Sequence, residues 1–151
     1  MLEKLRRFFI NQRQNEMDEK YISVLENEIN EELQRKIGEL ERIAEDITKV
    51  LERKYSRIFE NQGKKNLRIW ICRDIDGDEI DDITAEKCLE KEYRSQIAIN
   101  YDGLEFDNDF YAAIELWYYF GGYFKGSGTL YDLSKNDLEN DIEETLKTLL
   151  R

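Results

Sequence analysis

The chain has 151 residues, of which 40% are apolar, and it contains no histidine and no proline. This length fits one domain, or a small domain with a helical arm, and allows a core of modest size. Without histidine, the usual Ser-His-Asp triads, the commonest zinc ligand and the usual proton shuttle at neutral pH are excluded. Catalysis by carboxylates or tyrosines is not excluded, but we expect a protein that is not an enzyme and holds no cofactor.

The two cysteines, Cys72 and Cys88, do not form a CxxC motif and suit a reducing compartment. No apolar run approaches the length of a membrane span. The first residues lack the long apolar stretch and cleavage site of a signal peptide. These features predict a cytoplasmic protein with no membrane contact.

The net charge of −11 is concentrated in the C-terminal part of the chain. Residues 1–65 contain 14 basic and 14 acidic side chains, whereas residues 66–151 contain 9 basic and 20 acidic ones. Such a field repels nucleic acid and attracts basic surfaces. We therefore expect a basic protein partner and no direct binding of nucleic acid.

The first half of the chain has helical periodicity. Residues 2–12 predict a short amphipathic helix, and Met17–Glu60 predicts one long helix, or two helices broken near Asn27–Glu32. Asn61-Gln62-Gly63 is expected to end it. Alternating steps of four and three mark a coiled-coil-like seam at Leu33, Ile37, Leu40, Ala44, Ile47, Leu51, Lys54 and Ile58. This stripe can either pack on the rest of the chain or form a homodimer.

The second half mixes strand and helix patterns. Residues 67–75 and 95–101 alternate as strands do, and Asp102-Gly103 predicts a tight turn into a third strand at 104–106. Thr84 is expected to cap a short helix that reaches Tyr93.

The pattern from Asp109 to Phe120 is ambiguous. Its alanines and glutamate favour a helix, whereas the aromatic run Trp117–Phe120 favours a strand. We expect a helix that ends at Gly121-Gly122. A last amphipathic helix should follow, with Ser134–Asp137 as its capping segment. The apolar face of this last helix contains Leu138, Ile142, Leu146 and Leu149.

Residues 74–82, DIDGDEIDD, contain six acidic side chains. An EF-hand loop needs glycine at position 6 and glutamate at position 12, but Glu79 and Ala85 stand there. We interpret the segment as a turn at Gly77 whose charge faces solvent or a partner. A second acidic group, Asp107-Asn108-Asp109, is interpreted as a helix cap rather than a magnesium site, so no metal site is predicted.

Seven aromatic residues lie close together in the sequence: Trp117, Tyr118, Tyr119, Phe120, Tyr123, Phe124 and Tyr131. Core packing explains several of them. A helix in a domain of this size cannot bury consecutive rings on every side, so some should be exposed. Exposed tyrosine and tryptophan are common anchors of protein interfaces. A ligand pocket is the alternative use.

These observations predict an α+β fold with a long N-terminal helical, coiled-coil-like arm and a small, mainly antiparallel sheet covered by two or three helices. The arm is assigned to residues 1–63 and the acidic α+β domain to residues 64–151. The leading hypothesis is a non-enzymatic inhibitor of a basic, nucleic-acid-acting protein, of the immunity, antitoxin or anti-defence type. The alternatives are a coiled-coil oligomerisation or adaptor protein, and a binder of a small ligand or divalent metal. The predicted partner-binding residues are Asp76, Asp78, Glu79, Asp81, Asp82, Trp117, Tyr118 and Tyr119.

Overall fold

The computed structural model describes residues 20–80, 86–104, 110–120 and 127–151. Several sequence-based predictions concern other residues and lie outside these ranges. They are the helix at 2–12, the cap at Thr84, the acidic residues Asp81, Asp82 and 107–109, the helix end at 121–122, and the rings of Tyr123 and Phe124.

The described residues form one antiparallel sheet with two α-helices, which confirms the α+β class. The strands are β1 (Tyr21–Val24), β2 (Arg68–Ile75), β3 (Asp78–Glu79), β4 (Tyr93–Asn100), β5 (Ala112–Phe120) and β6 (Ser127–Tyr131), and their order is β1-β6-β5-β4-β2-β3. Every neighbouring pair is antiparallel. The strands predicted at 67–75 and 95–101 are confirmed as β2 and β4.

Helix α1 (Glu31–Asn61) begins later than the sequence suggested. The prediction of a helix from Met17 is wrong for the described residues 21–30, because Tyr21–Val24 is a strand and Glu26–Glu28 is a single 3-10 turn. The side chain of Asn30 sets the start by accepting a hydrogen bond from the Leu33 amide at 3.0 Å. Gly63, with φ +79°, follows the end of the helix as predicted.

The buried face of α1 differs from the predicted seam. Lys54 and Ile58 are exposed, whereas Tyr55 and Phe59, each one position further along, are buried. The apolar stripe of a straight helix drifts in this way relative to a seven-residue repeat. A coiled coil is therefore not confirmed. The buried face of α1 packs on β2, β4 and β5 and belongs to the same hydrophobic core as the sheet.

The helix expected at 109–120 is wrong for the described residues 110–120, because Ala112–Phe120 forms β5, one of the two central strands. Consecutive aromatic residues fit this strand because Trp117 and Tyr119 point into the core, whereas Tyr118 and Phe120 are half-buried on the other face. The β-preference of the aromatic run outweighed the helix preference of Ala113 and Glu115. The turn at Asp102-Gly103 is present, with Gly103 at φ +131°. Leu104 is not in a strand, residues 105–106 of the predicted third strand lie outside the described ranges, and the next described strand begins at Ala112.

Helix α2 (Leu138–Leu149) confirms the predicted last helix, with Leu138, Ile142 and Leu146 buried. Its cap is Asp137 itself, which accepts from the Asn140 amide at 3.1 Å, rather than Ser134. The helix lies beside α1, where Lys54 and Glu143 form an ion pair at 2.9 Å. Residues 86–92, which were expected to be helical, form turns instead. Neither of the two described helices is both long and apolar enough to cross a membrane.

Candidate functional site

The acidic segment contains a tight hairpin between β2 and β3. Asp76 and Gly77 are its central residues, with φ +53° and +85°. Positive φ at both central positions is typical of the turn that Asp-Gly favours in two-residue hairpins. The hairpin leaves the side chains of Asp76, Asp78 and Glu79 exposed.

The turn that precedes β4 lies beside this hairpin. The Asp76 amide donates to the Glu92 carbonyl at 3.2 Å, and the Glu92 amide donates to the Tyr119 carbonyl at 2.6 Å. Residues 76–80 and 86–92 together contain six acidic and two basic side chains. We call this region, consisting of Asp76, Asp78, Glu79, Glu90 and Glu92, the acidic end of the sheet.

Two acidic residues at this end have left-handed backbone conformations. Asp76 has φ +53° and Glu92 has φ +69°. Aspartate tolerates this region because its short side chain can hydrogen-bond locally, but a glutamate there is uncommon and costs about 1 kcal/mol or more. Such conformations are often retained where they place a functional group.

The strand register places one residue of every strand on a single row across the sheet. From β3 to β1, this row contains Glu79, Asp74, Arg94, Tyr118, Thr129 and Ser23. The row lies on the face opposite α1, because the neighbouring Arg73 side chain contacts Glu41 of α1 and side chains alternate along a strand. Glu79 and Tyr118 are three strand spacings apart, or about 14 Å. Two distant segments of the predicted site therefore share one face.

Arg94 is neutralised within this row. Its Nε atom lies 3.3 Å from Asp74 Oδ2, and its guanidinium carbon lies 5.6 Å from the centre of the Tyr118 ring. In contrast, Asp76, Asp78 and Glu79 form no ion pair within the described part of the chain. The hairpin therefore keeps the negative charge of these three carboxylates, and the nearby Arg94 is already paired with Asp74.

Tyr118 is a half-buried aromatic residue on this face. Its hydroxyl donates to Glu92 Oε2 at 2.9 Å. Burial, followed by the hydrogen bond to Glu92, raises the pKa of Tyr118 to about 12. The hydroxyl therefore stays protonated at neutral pH and fixes the ring beside the acidic end.

Trp117 and Tyr119, the other two predicted anchors, are core residues that are 0% and 6% exposed. Trp117 Nε1 donates to the Cys88 carbonyl at 2.8 Å inside the protein. Packing accounts for both rings, so Tyr118 is the one of the three predicted anchors that is only partly buried. Asp81 and Asp82 lie outside the described residues.

Cys72 lies on the same face as the row, two residues before Asp74. Burial, followed by the charges of Glu79 and Asp74, raises the pKa of its thiol to about 11. A thiol with this pKa is protonated at neutral pH and is a poor nucleophile. Within residues 20–80, 86–104, 110–120 and 127–151, no group of three or more acidic or cysteine side chains is arranged to hold a metal ion.

Sequence reasoning missed Glu90 and Glu92 as members of this site. Nothing local marks them, because only the pairing of β2 with β4 brings the turn before β4 to the hairpin. A prediction that β2 pairs with β4 would have placed Glu90 and Glu92 beside the hairpin.

Comparison of the chain with protein-family models, with curated proteins and with solved structures finds no match.

The strain at Glu92 leads to a stability prediction. Tyr118→Phe removes the hydrogen bond to Glu92 and should cost about 1 kcal/mol. Glu92→Ala and Glu92→Gly remove the same side-chain contacts, but only glycine relieves the left-handed backbone, so Glu92→Gly should be more stable than Glu92→Ala by about 1 kcal/mol. Urea unfolding of the three variants measures these differences. A Glu92→Gly variant that is no more stable than Glu92→Ala would show that the Glu92 backbone is not strained.

Proposed function

We propose that this protein is a non-enzymatic inhibitor that covers a basic surface of a nucleic-acid-acting protein, as immunity proteins, antitoxins and anti-defence inhibitors do. One observation carries the proposal: the strand register places the unpaired carboxylate of Glu79 and the ring of Tyr118 on one face of the sheet, beside the exposed turn that contains Asp76. A charged rim beside a partly exposed tyrosine is a common composition of protein interfaces.

The charge of the acidic end supports a role in recognition rather than in general solubility. The exposed carboxylates of Asp76, Asp78 and Glu79 follow one another on a tight turn, and Glu92 is held against them in a costly backbone conformation. Concentrated charge of one sign accelerates association with a surface of the opposite sign and disfavours wrong partners. Nucleic-acid-acting proteins carry such basic surfaces because they neutralise phosphates.

Charge reversal at the hairpin tests this proposal. The variant Asp76→Lys, Asp78→Lys, Glu79→Lys changes the net charge from −11 to −5. We expect it to capture a basic partner from native cell lysate at least about tenfold less efficiently, because steering contributes a factor of about 10 or more to association. Quantitative mass spectrometry of the captured proteins, at low and high salt, is the measurement.

A matched control separates location from net charge. Glu39, Asp46 and Glu60 are exposed on α1, and changing all three to lysine gives the same net charge of −5. This control should retain the partner at low salt. If both triple variants lose the partner equally, only the total charge matters. If neither loses it, the acidic end is not the interface.

A further inference from the structure

We propose that the second half of α1 is a docking surface for the acidic hairpin of a second copy of this chain. Arg53 and Arg57 are the charged residues of this surface, and Val50 and Ile58 are its apolar residues. We call these four residues the α1 patch. The contact joins two different surfaces, so each copy binds one neighbour through its hairpin and another through its helix. Head-to-tail contacts of this kind assemble copies into rings or open chains.

The α1 patch is open to solvent in the structure. Two of the five exposed large apolar side chains in the described ranges belong to it, Val50 at 51% and Ile58 at 42%. Arg53 and Arg57 are exposed as well, and neither forms an ion pair with a described residue. Arg53 uses only its Nε atom, which donates to the Lys49 carbonyl at 3.3 Å. Exposed apolar side chains beside arginines are typical of contact surfaces.

This part of α1 is locally basic although the protein is acidic. Residues 49–58 contain four basic side chains and one acidic side chain, whereas the whole chain has a net charge of −11. Each of the two lysines in this range is already paired with a glutamate. The one carboxylate, that of Glu52, accepts a hydrogen bond from the Ile69 amide at 3.3 Å. The charge of the two arginines therefore remains uncompensated, and its complement is a surface with free carboxylates.

The hairpin of a second copy supplies such carboxylates at a matching spacing. Asp76 and Asp78 are exposed, and no described residue forms an ion pair with either. They are two residues apart, so their Cα atoms are separated by at most about 7 Å. Arg53 and Arg57 are four residues apart on a helix, which separates them by about 6 Å. Each aspartate can therefore meet one arginine, and arginine binds a carboxylate through two parallel hydrogen bonds.

The hairpin also offers apolar surface beside its carboxylates. Ile75 and Ile80 lie on either side of the turn and are half-buried. In the contact they provide apolar neighbours for Val50 and Ile58 of the other copy. Apolar side chains surrounded by paired charges are the ordinary composition of a protein interface. Both complementary surfaces belong to one chain, which makes a second copy the occupant that fits the patch.

One copy cannot make this contact within itself. Helix α1 and β2 run in opposite directions, because Glu41 contacts Arg73 whereas Glu52 contacts Ile69. Arg57 follows Glu41 by about 24 Å of helix, while the hairpin lies at the far end of β2, beyond Arg73. The patch and the hairpin are therefore roughly 30 Å apart in one copy. The Debye length of about 8 Å at physiological ionic strength is shorter, so the distant acidic end does not cancel the charge of the patch.

Sedimentation velocity of the purified protein tests the contact, from about 1 µM to about 1 mM in about 0.15 M salt. The wild type should form dimers and larger assemblies as its concentration rises, and about 1 M salt should dissociate them. The helix variant Arg53→Gln, Arg57→Gln and the hairpin variant Asp76→Asn, Asp78→Asn should each self-associate at least about tenfold more weakly. Asparagine preserves the hairpin, because Asn-Gly favours the same turn as Asp-Gly.

A mixture of these two variants is the decisive sample. The helix variant retains an intact hairpin and the hairpin variant retains an intact α1 patch, so the mixture should form a 1:1 dimer that does not grow further. The control variant Arg35→Gln, Arg42→Gln makes the same charge change at exposed residues nearer the start of α1, and it should associate as the wild type does.

Three results would overturn the proposal: a wild type that remains monomeric, a mixture of the two variants that remains monomeric, or a control that associates as weakly as the helix variant. The experiment contains no other protein. Its failure would therefore leave the proposed inhibitor function intact, and loss of the inhibitor function would leave self-association intact.

Discussion

Glu41→Gln is expected to destabilise the protein by about 3 kcal/mol or more, because removing one partner leaves a buried charge without compensation. Glu41 on α1 is 1% exposed, and its carboxylate lies 2.6 Å from Arg73 Nε on β2. Its other oxygen accepts from the Tyr93 hydroxyl at 2.9 Å. This group connects α1 to the sheet, and chemical unfolding measures the loss.

An exposed ion pair one turn along α1 provides the control. Glu45 and Lys49 are 3.6 Å apart, with about half or more of each side chain exposed. Glu45→Gln should change the free energy of unfolding by less than about 0.5 kcal/mol. Replacing Glu41, Arg73 and Tyr93 together by Leu, Met and Phe should cost less than Glu41→Gln alone, because no buried charge remains. Equal losses for Glu41→Gln and Glu45→Gln would contradict the buried-pair interpretation.

The second large effect is expected at Gly128 on β6. A Cβ atom there would lie 2.6 Å from Trp117 Cζ3 and 2.8 Å from the Tyr118 carbonyl oxygen. Trp117 is fully buried, so its ring cannot move away without disturbing the core. Gly128→Ala should therefore cost about 3 kcal/mol, the upper part of the usual range for overpacking. The midpoint of urea unfolding is the measurement.

Two further variants separate this clash from a general effect of replacing glycine. At Gly38 on α1, a Cβ atom would meet no neighbouring group within 4 Å, so Gly38→Ala should stabilise the helix by up to about 1 kcal/mol. Trp117→Phe removes the outer ring atoms that clash. The double variant Trp117→Phe, Gly128→Ala should therefore cost less than the sum of the single changes. Simple additivity would show that the two residues do not compete for space.

The elements that were predicted correctly are those whose apolar pattern in the sequence matches the face that they bury in the fold. Residues 67–75 alternate clearly and became β2, and α2 has its apolar residues on one face. The errors occurred where contacts between distant parts of the chain determine the secondary structure or the buried face of a helix. β5 is central and carries aromatic residues on both faces, so Trp117 to Phe120 showed no alternation of apolar and polar residues that could be recognised. The seam on α1 followed a heptad only as far as Leu51, because the helix packs mainly on the sheet and not along a second helix as in a coiled coil.

The candidate site was predictable in composition but not in arrangement. The exposed acids Asp76, Asp78 and Glu79 follow from the Asp-Gly turn signal between two strand-like segments. Which aromatic ring lies near these acids could not be predicted, because it depends on the strand register from β3 through β2 and β4 to β5. The same register buries Trp117 and Tyr119 and leaves Tyr118 beside Glu92. The division into an arm at 1–63 and a domain at 64–151 stays a prediction.

Competition with nucleic acid tests the central claim most directly. A partner captured from native lysate at low salt would be titrated with duplex DNA and with single-stranded RNA, and the amount of protein that remains bound would be measured. If the acidic end covers the nucleic-acid surface of the partner, nucleic acid should displace the protein, and no ternary complex should form. A stable ternary complex, or a captured partner with no affinity for nucleic acid, would contradict the proposed inhibitor function.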